Sequence, residues 1–314
     1  MAADDNFWRF RRSALGCLLS LSIGIVLQKY FNVSGYVGDG LRAVGLYQYV
    51  YGPAQALKSA TTAQPIPSER QGQLRLYVLM GQSNMSGLAP MPSSSAAAAS
   101  KNVYTFGNDY QWGPAAEPVD SPVGQIDAVS LDESAGFGPS VAFAEALPQE
   151  DGAIGLIPCA KGGSSIAQWQ RDLSDQSLYG SCLKRIRAAS VMGQLEGVLF
   201  FQGEADAIDP TLYPSMQPQA DRWGQQFTQM VRDLRQDLNQ PDLPVVYAQI
   251  GADPQDQTLP NWERVRQQQQ QIDVPDSARI QTDDLETWDG VHFTADSYRI
   301  IGQRFATAWG EIAP

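Results

Sequence analysis

The sequence predicts an α/β protein in three layers, a central parallel sheet covered by helices on both faces. Three observations predict it. Short apolar runs alternate with longer amphipathic stretches from residue 74 to the C-terminus. The runs are nearly continuous in apolar residues, as strands buried on both faces must be. Residues able to do chemistry come directly after the runs, and open parallel sheets carry their sites at the carboxyl ends of strands.

The strand candidates are 74–80, 153–159, 197–202, 245–250 and 279–282. The first, Leu74-Arg75-Leu76-Tyr77-Val78-Leu79-Met80, ends at Gly81 and delivers a serine to a tight turn. Helices are predicted over 140–147, 177–192, 221–238, 262–272 and 294–309. Within 221–238, Trp223, Phe227, Met230, Leu234 and Leu238 recur at spacings of three and four, the stripe of a helix lying on a sheet. Residues 101–136 show little periodicity and read as a long loop whose aromatics, Tyr104, Phe106, Tyr110 and Trp112, could wall a pocket. With Trp169 and Trp288 they are also candidates to stack on a sugar ring, although packing is the commoner role for any one of them. Residues 93–100, with four consecutive alanines, read as a surface loop, and Gln267 to Gln271 as a solvated helix face. No internal repeat is visible.

The 314 residues carry a net charge of -12, which disfavours nucleic acid because phosphate binding needs positive surface. His292 is the only histidine, so sites built from two or three imidazoles around a metal are excluded. No cysteine pair stands at finger spacing, and no metal or organic cofactor is implied.

Ser83 and His292 are the natural nucleophile and base of a serine hydrolase, and Asp289, three residues before the base, can orient it. Glu204 is the competing acid; Asp289 is preferred because an acid and a histidine on one short turn need little rearrangement to meet. Acyl transfer also needs N–H donors around the developing oxyanion. The Ser83 amide at a strand-to-helix turn is one candidate, the Gly162-Gly163 pair a second, and the Gln202 side chain a third. Asp206 reads as structural.

Four blocks carry a resemblance: Gly81-Gln82-Ser83-Asn84-Met85, Cys159 through Ile166, Phe201 through Asp206, and Asp289-Gly290-Val291-His292-Phe293. In this order they resemble the SGNH/GDSL hydrolases, in the branch of the sialate O-acetylesterases and carbohydrate esterase family six. The resemblance implies the SGNH form of the flavodoxin-like sandwich and a serine esterase that removes acyl groups, acetyl above all, from carbohydrate. It implies Ser83, His292 and Asp289 as the triad, one of Gly162 and Gly163 as a donor, Gln202 where many relatives carry Asn, and Glu204 as a brace. A carbohydrate O-acyltransferase with the same triad and a catalytically silent glycan-binding module are the alternative readings. The partner expected is an acetylated carbohydrate or another small ester.

The resemblance covers residues 74 to 310, so the N-terminus is read alone. Trp8-Arg9-Phe10-Arg11-Arg12 precedes a charge-free run over 14–27, giving residues 1–30 the pattern of a signal segment or an uncleaved signal anchor. Residues 31–72 read as a stalk and 73–314 as the esterase domain. Basic residues before the run predict an N-in orientation and an extracytoplasmic, membrane-tethered domain, or a secreted one if the segment is cleaved. Cys159 and Cys182 are left open, as a disulfide or as two buried thiols.

Overall fold

A computed structural model describes residues 66–92, 102–121, 124–130, 135–148 and 152–313, all within the unit Thr61–Pro314. The predicted signal or anchor segment, most of the stalk and the alanine-rich loop lie outside the described residues. Ile66 lies inside them, buried in the core upstream of the predicted boundary at residue 73. Among the described residues, no helix is long and apolar enough to cross a membrane.

Seven strands form one sheet: β1 (Leu74–Gly81), β2 (Val103–Phe106), β3 (Trp112–Pro114), β4 (Ile154–Ala160), β5 (Gly193–Phe201), β6 (Val245–Ala248) and β7 (Ser277–Ile280). Their order is β3-β2-β4-β1-β5-β6-β7, and every pairing is parallel except the β2–β3 hairpin. The helices are α1 (Ser83–Ser86), α2 (Ser140–Ala146), α3 (Leu178–Ala189), α4 (Trp223–Leu238), α5 (Trp262–Gln270) and α6 (Ala295–Ile312).

Alternation along β1 divides the interior. Leu74, Leu76, Val78 and Met80 point into one core with α3, α4 and α5, while Tyr77 and Leu79 point into the other with α2 and α6. Such two-sided burial explains why β1 reads as an unbroken apolar run rather than an alternating one. The stripe predicted on α4 is the buried one: Trp223, Phe227, Met230 and Leu234 are covered, and Leu238 packs at the edge.

The region 101–136 is corrected by the structure, because it contains β2 and β3. Both strands are short, and β2 buries only its terminal residues, so no strand period shows in the sequence. Tyr104, Tyr110 and Trp112 pack against the core, Phe106 lies in it, and Trp169 is fully buried, so these aromatics are spent on packing. The glutamine run is a solvated helix face at Gln267, Gln270 and Gln271, and is corrected at Gln269. Gln269 is fully buried, giving its side-chain N–H to the Gln202 carbonyl at 3.0 Å and accepting the Ile250 N–H at 2.9 Å. Cys159 of β4 and Cys182 of α3 form a disulfide with their Cα atoms 5.4 Å apart.

Candidate active site

β1 lies between β4 and β5, and the register sets Gly81 opposite Ala160 on one side and Phe201 on the other. The three strands therefore end level, and their C-terminal turns emerge side by side: Gln82-Ser83 after β1, Lys161-Gly162-Gly163 after β4 and Gln202-Gly203 after β5. The strand order reverses about β1, with β2, β3 and β4 added on one side and β5, β6 and β7 on the other, which is where open α/β folds leave a crevice.

Gly81 is the geometric condition for the turn. Its φ is +141°, and a Cβ there would lie 2.1 Å from the Phe201 carbonyl oxygen, so no other residue fits. Gln82 stays extended, and Ser83 opens α1. The Gln82 side-chain oxygen accepts N–H groups from Gly203 and Ala205 at 3.3 Å, tying the ends of β1 and β5 together.

Ser83 Oγ lies 2.9 Å from His292 Nε2, and His292 Nδ1 lies 2.7 Å from Asp289 Oδ2. The other oxygen of Asp289 accepts the backbone N–H groups of Val291 at 2.9 Å and His292 at 2.7 Å. Gly290, at φ +93°, lets the chain double back so that one carboxylate reaches both backbone and ring. Burial works against ionisation of Asp289, but the hydrogen bond and charge of His292 and the two N–H groups hold its carboxyl below the usual range. An ionised carboxylate only accepts, which assigns the proton to Nδ1 and leaves Nε2 to accept from the Ser83 hydroxyl.

Glu204 takes a different place. Burial pushes its carboxyl upward, and it receives the Asn84 side-chain N–H at 2.5 Å. Asn84 in turn donates to the Val291 carbonyl at 3.2 Å and accepts from the Tyr298 hydroxyl at 2.6 Å. This buried group ties the residue after the serine to the residue before the histidine. Tyr298 gave no signal in the sequence: it lies a helical turn beyond the His292 block and meets Asn84 only through the fold.

Gln202 is fully buried and its amide is committed. Its nitrogen faces Gln82 Oε1 at 3.2 Å, the Ser164 carbonyl at 3.0 Å and Asp206 Oδ2 at 2.6 Å, while its oxygen accepts the Trp223 indole N–H at 2.8 Å. With both amide hydrogens held by acceptors inside the protein, the third oxyanion donor expected from this side chain is not offered in this arrangement; Gln202 clasps three loops instead. Asp206 shares that work, accepting from Gln202, Ile166 and Gln219. Of the glycine pair, Gly163 has φ +68° and stands exposed. Neither its N–H nor that of Ser83 meets an acceptor among the described residues. Ser164 closes the turn by donating to the Lys161 carbonyl at 2.7 Å. No group of three or more His, Cys, Asp or Glu is placed to hold a metal among the described residues.

The site is open. The His292 and Asp289 side chains are 18% and 30% exposed. A cavity of about 610 Å³ lies around Arg75, Glu196 and Leu243 at the far ends of the strands, away from this chemistry.

Beside the site, Glu117 is buried and gathers the N–H groups of Val119, Gly138 and Val141. Burial raises its carboxyl to about 7, against those N–H bonds and Arg299, which lower it. Burial likewise raises Asp206 to about 6. A carboxyl raised in the folded state stabilises fully below its unfolded value and loses that contribution as pH climbs through its folded value. The midpoint of urea unfolding should therefore fall between pH 5 and pH 8, with Glu117 contributing up to about 3 kcal/mol. Glu117→Gln should flatten that slope whatever it does to absolute stability.

The three-layer sandwich matches the SGNH-like fold of carbohydrate esterase structures. Within it, the chain belongs to the family described as carbohydrate esterase, sialic acid-specific acetylesterase, whose model matches residues 73–311. The "Probable carbohydrate esterase At4g34215" of Arabidopsis thaliana is 29% identical over 208 residues, 60% of this chain and 71% of that protein. Its X-ray structure matches with a TM-score of 0.63 and 25% identity, over 77% of this chain and 100% of the other. The fold is shared with XAC1771, a carbohydrate acetylesterase from Xanthomonas citri (TM-score 0.57, 21% identity, 76% of this chain and 56% of that one). It is shared also with NanS (TM-score 0.57, 16% identity, 77% and 98%).

Proposed function

We propose that this protein hydrolyses O-acetyl esters on carbohydrate through an acyl-enzyme formed on Ser83. The observation that carries the reading is the continuous chain from Ser83 Oγ through His292 to Asp289, at 2.9 and 2.7 Å, at the end of β1. His292 Nε2 takes the hydroxyl proton as Oγ attacks the ester carbonyl. Asp289 keeps the ring oriented and supports its positive charge. The tetrahedral oxyanion is met by the Ser83 and Gly163 N–H groups, both free of acceptors among the described residues. The imidazolium then protonates the departing sugar oxygen, and water repeats the cycle on the acetylated serine with His292 again as base. The family, and the carbohydrate acetylesterases that share the fold, support acetyl as the acyl group and a sugar as the alcohol.

The Cys159–Cys182 disulfide supports an oxidising compartment, in line with the basic and apolar N-terminal segment read as a signal or anchor. We place the catalytic domain outside the cytoplasm on that basis.

The test is acetate release across a panel of acetylated saccharides, run with and without an unacetylated sugar acceptor. Hydrolysis is expected in both, and a serine-directed phosphonate should label Ser83 and block it. Acetyl appearing on the acceptor in place of free acetate would make the protein a transferase. Saccharide binding without release of acetate would make it a binding module.

A further inference from the structure

Among the described residues, Trp288 is the one tryptophan left half-exposed, at 50%, while Trp169, Trp223 and Trp262 are buried. Its position is fixed rather than loose. The Trp288 N–H donates to the His292 carbonyl at 2.9 Å, Thr287 bridges Phe293, and the Thr294 N–H donates to the Glu286 carbonyl at 3.1 Å. The two flanks of the Asp289-Gly290 turn are thus laced together, and the indole lies beside the imidazole with ring centres 6.3 Å apart and planes 27° from parallel. Exposing a rigid aromatic face next to the reacting atoms has no packing rationale, because the ring covers no core on its open side.

Chemistry says what belongs there. The imidazole must hand its proton to the leaving oxygen, so the group bearing that oxygen comes within hydrogen-bond reach of Nε2. A pyranose attached through that oxygen comes within reach of the ring beside the imidazole, and the face of a pyranose rich in C–H groups packs on an indole. Charge narrows the class further. Glu286 and Asp289 flank Trp288 in the same turn; Asp283 and Asp284, just before it, are paired with Arg266 and Arg304. Asp289 is paired with His292, so Glu286, exposed and with no ion pair among the described residues, is what leaves the turn negative beside the indole, on a chain whose net charge is -12.

We propose that Trp288 is the platform for the leaving-group sugar, and that the sugar it takes is an uncharged O-acetylated pyranose rather than a carboxylate-bearing one. The assignment rests on the esterase reading above and names the substrate class of the same site.

Two measurements on the full chain test it. In the first, kcat/KM is compared for an acetylated neutral methyl pyranoside and for ethyl acetate, whose leaving group is too small to reach the indole. Trp288→Ala should lower the sugar ester by about tenfold or more, through KM, and ethyl acetate by less than about threefold, with Trp288→Phe between. An acetylated sugar carrying a carboxylate should be the poorer substrate for the wild type, the gap narrowing as salt is added. In the second, calorimetry follows the same neutral pyranoside binding to Ser83→Ala, where hydrolysis does not intervene. Adding Trp288→Ala should weaken that binding by about tenfold or more. Equal losses on both esters, or sugar binding indifferent to residue 288, would overturn the assignment, and preference for the charged sugar would overturn its neutral class. If the wild type hydrolysed no ester while binding still depended on Trp288, the esterase reading would fail and the platform would stand.

Discussion

Replacing Ser83 by alanine is expected to lower kcat for acetyl-ester hydrolysis by on the order of 10³ or more while leaving the fold intact. In the proposed mechanism the reaction loses its nucleophile, and the remaining groups cannot substitute: His292 Nε2 faces Ser83 Oγ and has no other partner among the described residues. The fold should persist because, among the described residues, the Ser83 hydroxyl meets His292 alone, whereas α1 is held by backbone bonds such as Gly87 N–H to the Ser83 carbonyl at 2.9 Å. Circular dichroism and the urea midpoint should match wild type. A folded Ser83→Ala protein with near-normal turnover would remove the proposed mechanism.

The second large effect belongs to the acid. Asp289→Asn should reduce kcat/KM by roughly 10³-fold, since an amide neither stabilises the imidazolium nor fixes Nδ1 as the protonated nitrogen. Glu204→Gln should cost less than about tenfold, because burial keeps that carboxyl from ionising easily and a glutamine oxygen can still accept from Asn84. Asp289 is held ionised into the acid range, so it is not the source of the acid limb in the pH profile. The chain has one imidazole, and most of the activity should disappear in His292→Gln. Stability must be followed in parallel, because Glu117 and Asp206 titrate near neutrality through the fold rather than through the chemistry. If Glu204→Gln were as damaging as Ser83→Ala and Asp289→Asn nearly silent, with both folded, the acid would be Glu204.

Sequence alone determined the layered α/β architecture, because strands buried on both faces must be apolar throughout and helices on a sheet must repeat at three and four. It also determined which residues could meet. The proposed nucleophile and the close-approach glycines sit directly after strands, and the proposed acid and base share one short turn before the last helix; such local requirements are written locally. Only the tertiary structure decided the rest. The β2–β3 hairpin is held by pairing to β4 rather than by its own periodicity. Gln202, legible as a donor, turned out to be committed to Asp206, four residues on, and to Gln82 and Ser164, brought to it from two other segments. The buried Glu204–Asn84–Tyr298 group, the inward turn of Gln269 and the closing of Cys159 on Cys182 are likewise contacts between distant parts of the chain. A side chain's neighbours across such distances are fixed by how the sheet and helices stack, and the pattern around any one residue carries no record of them.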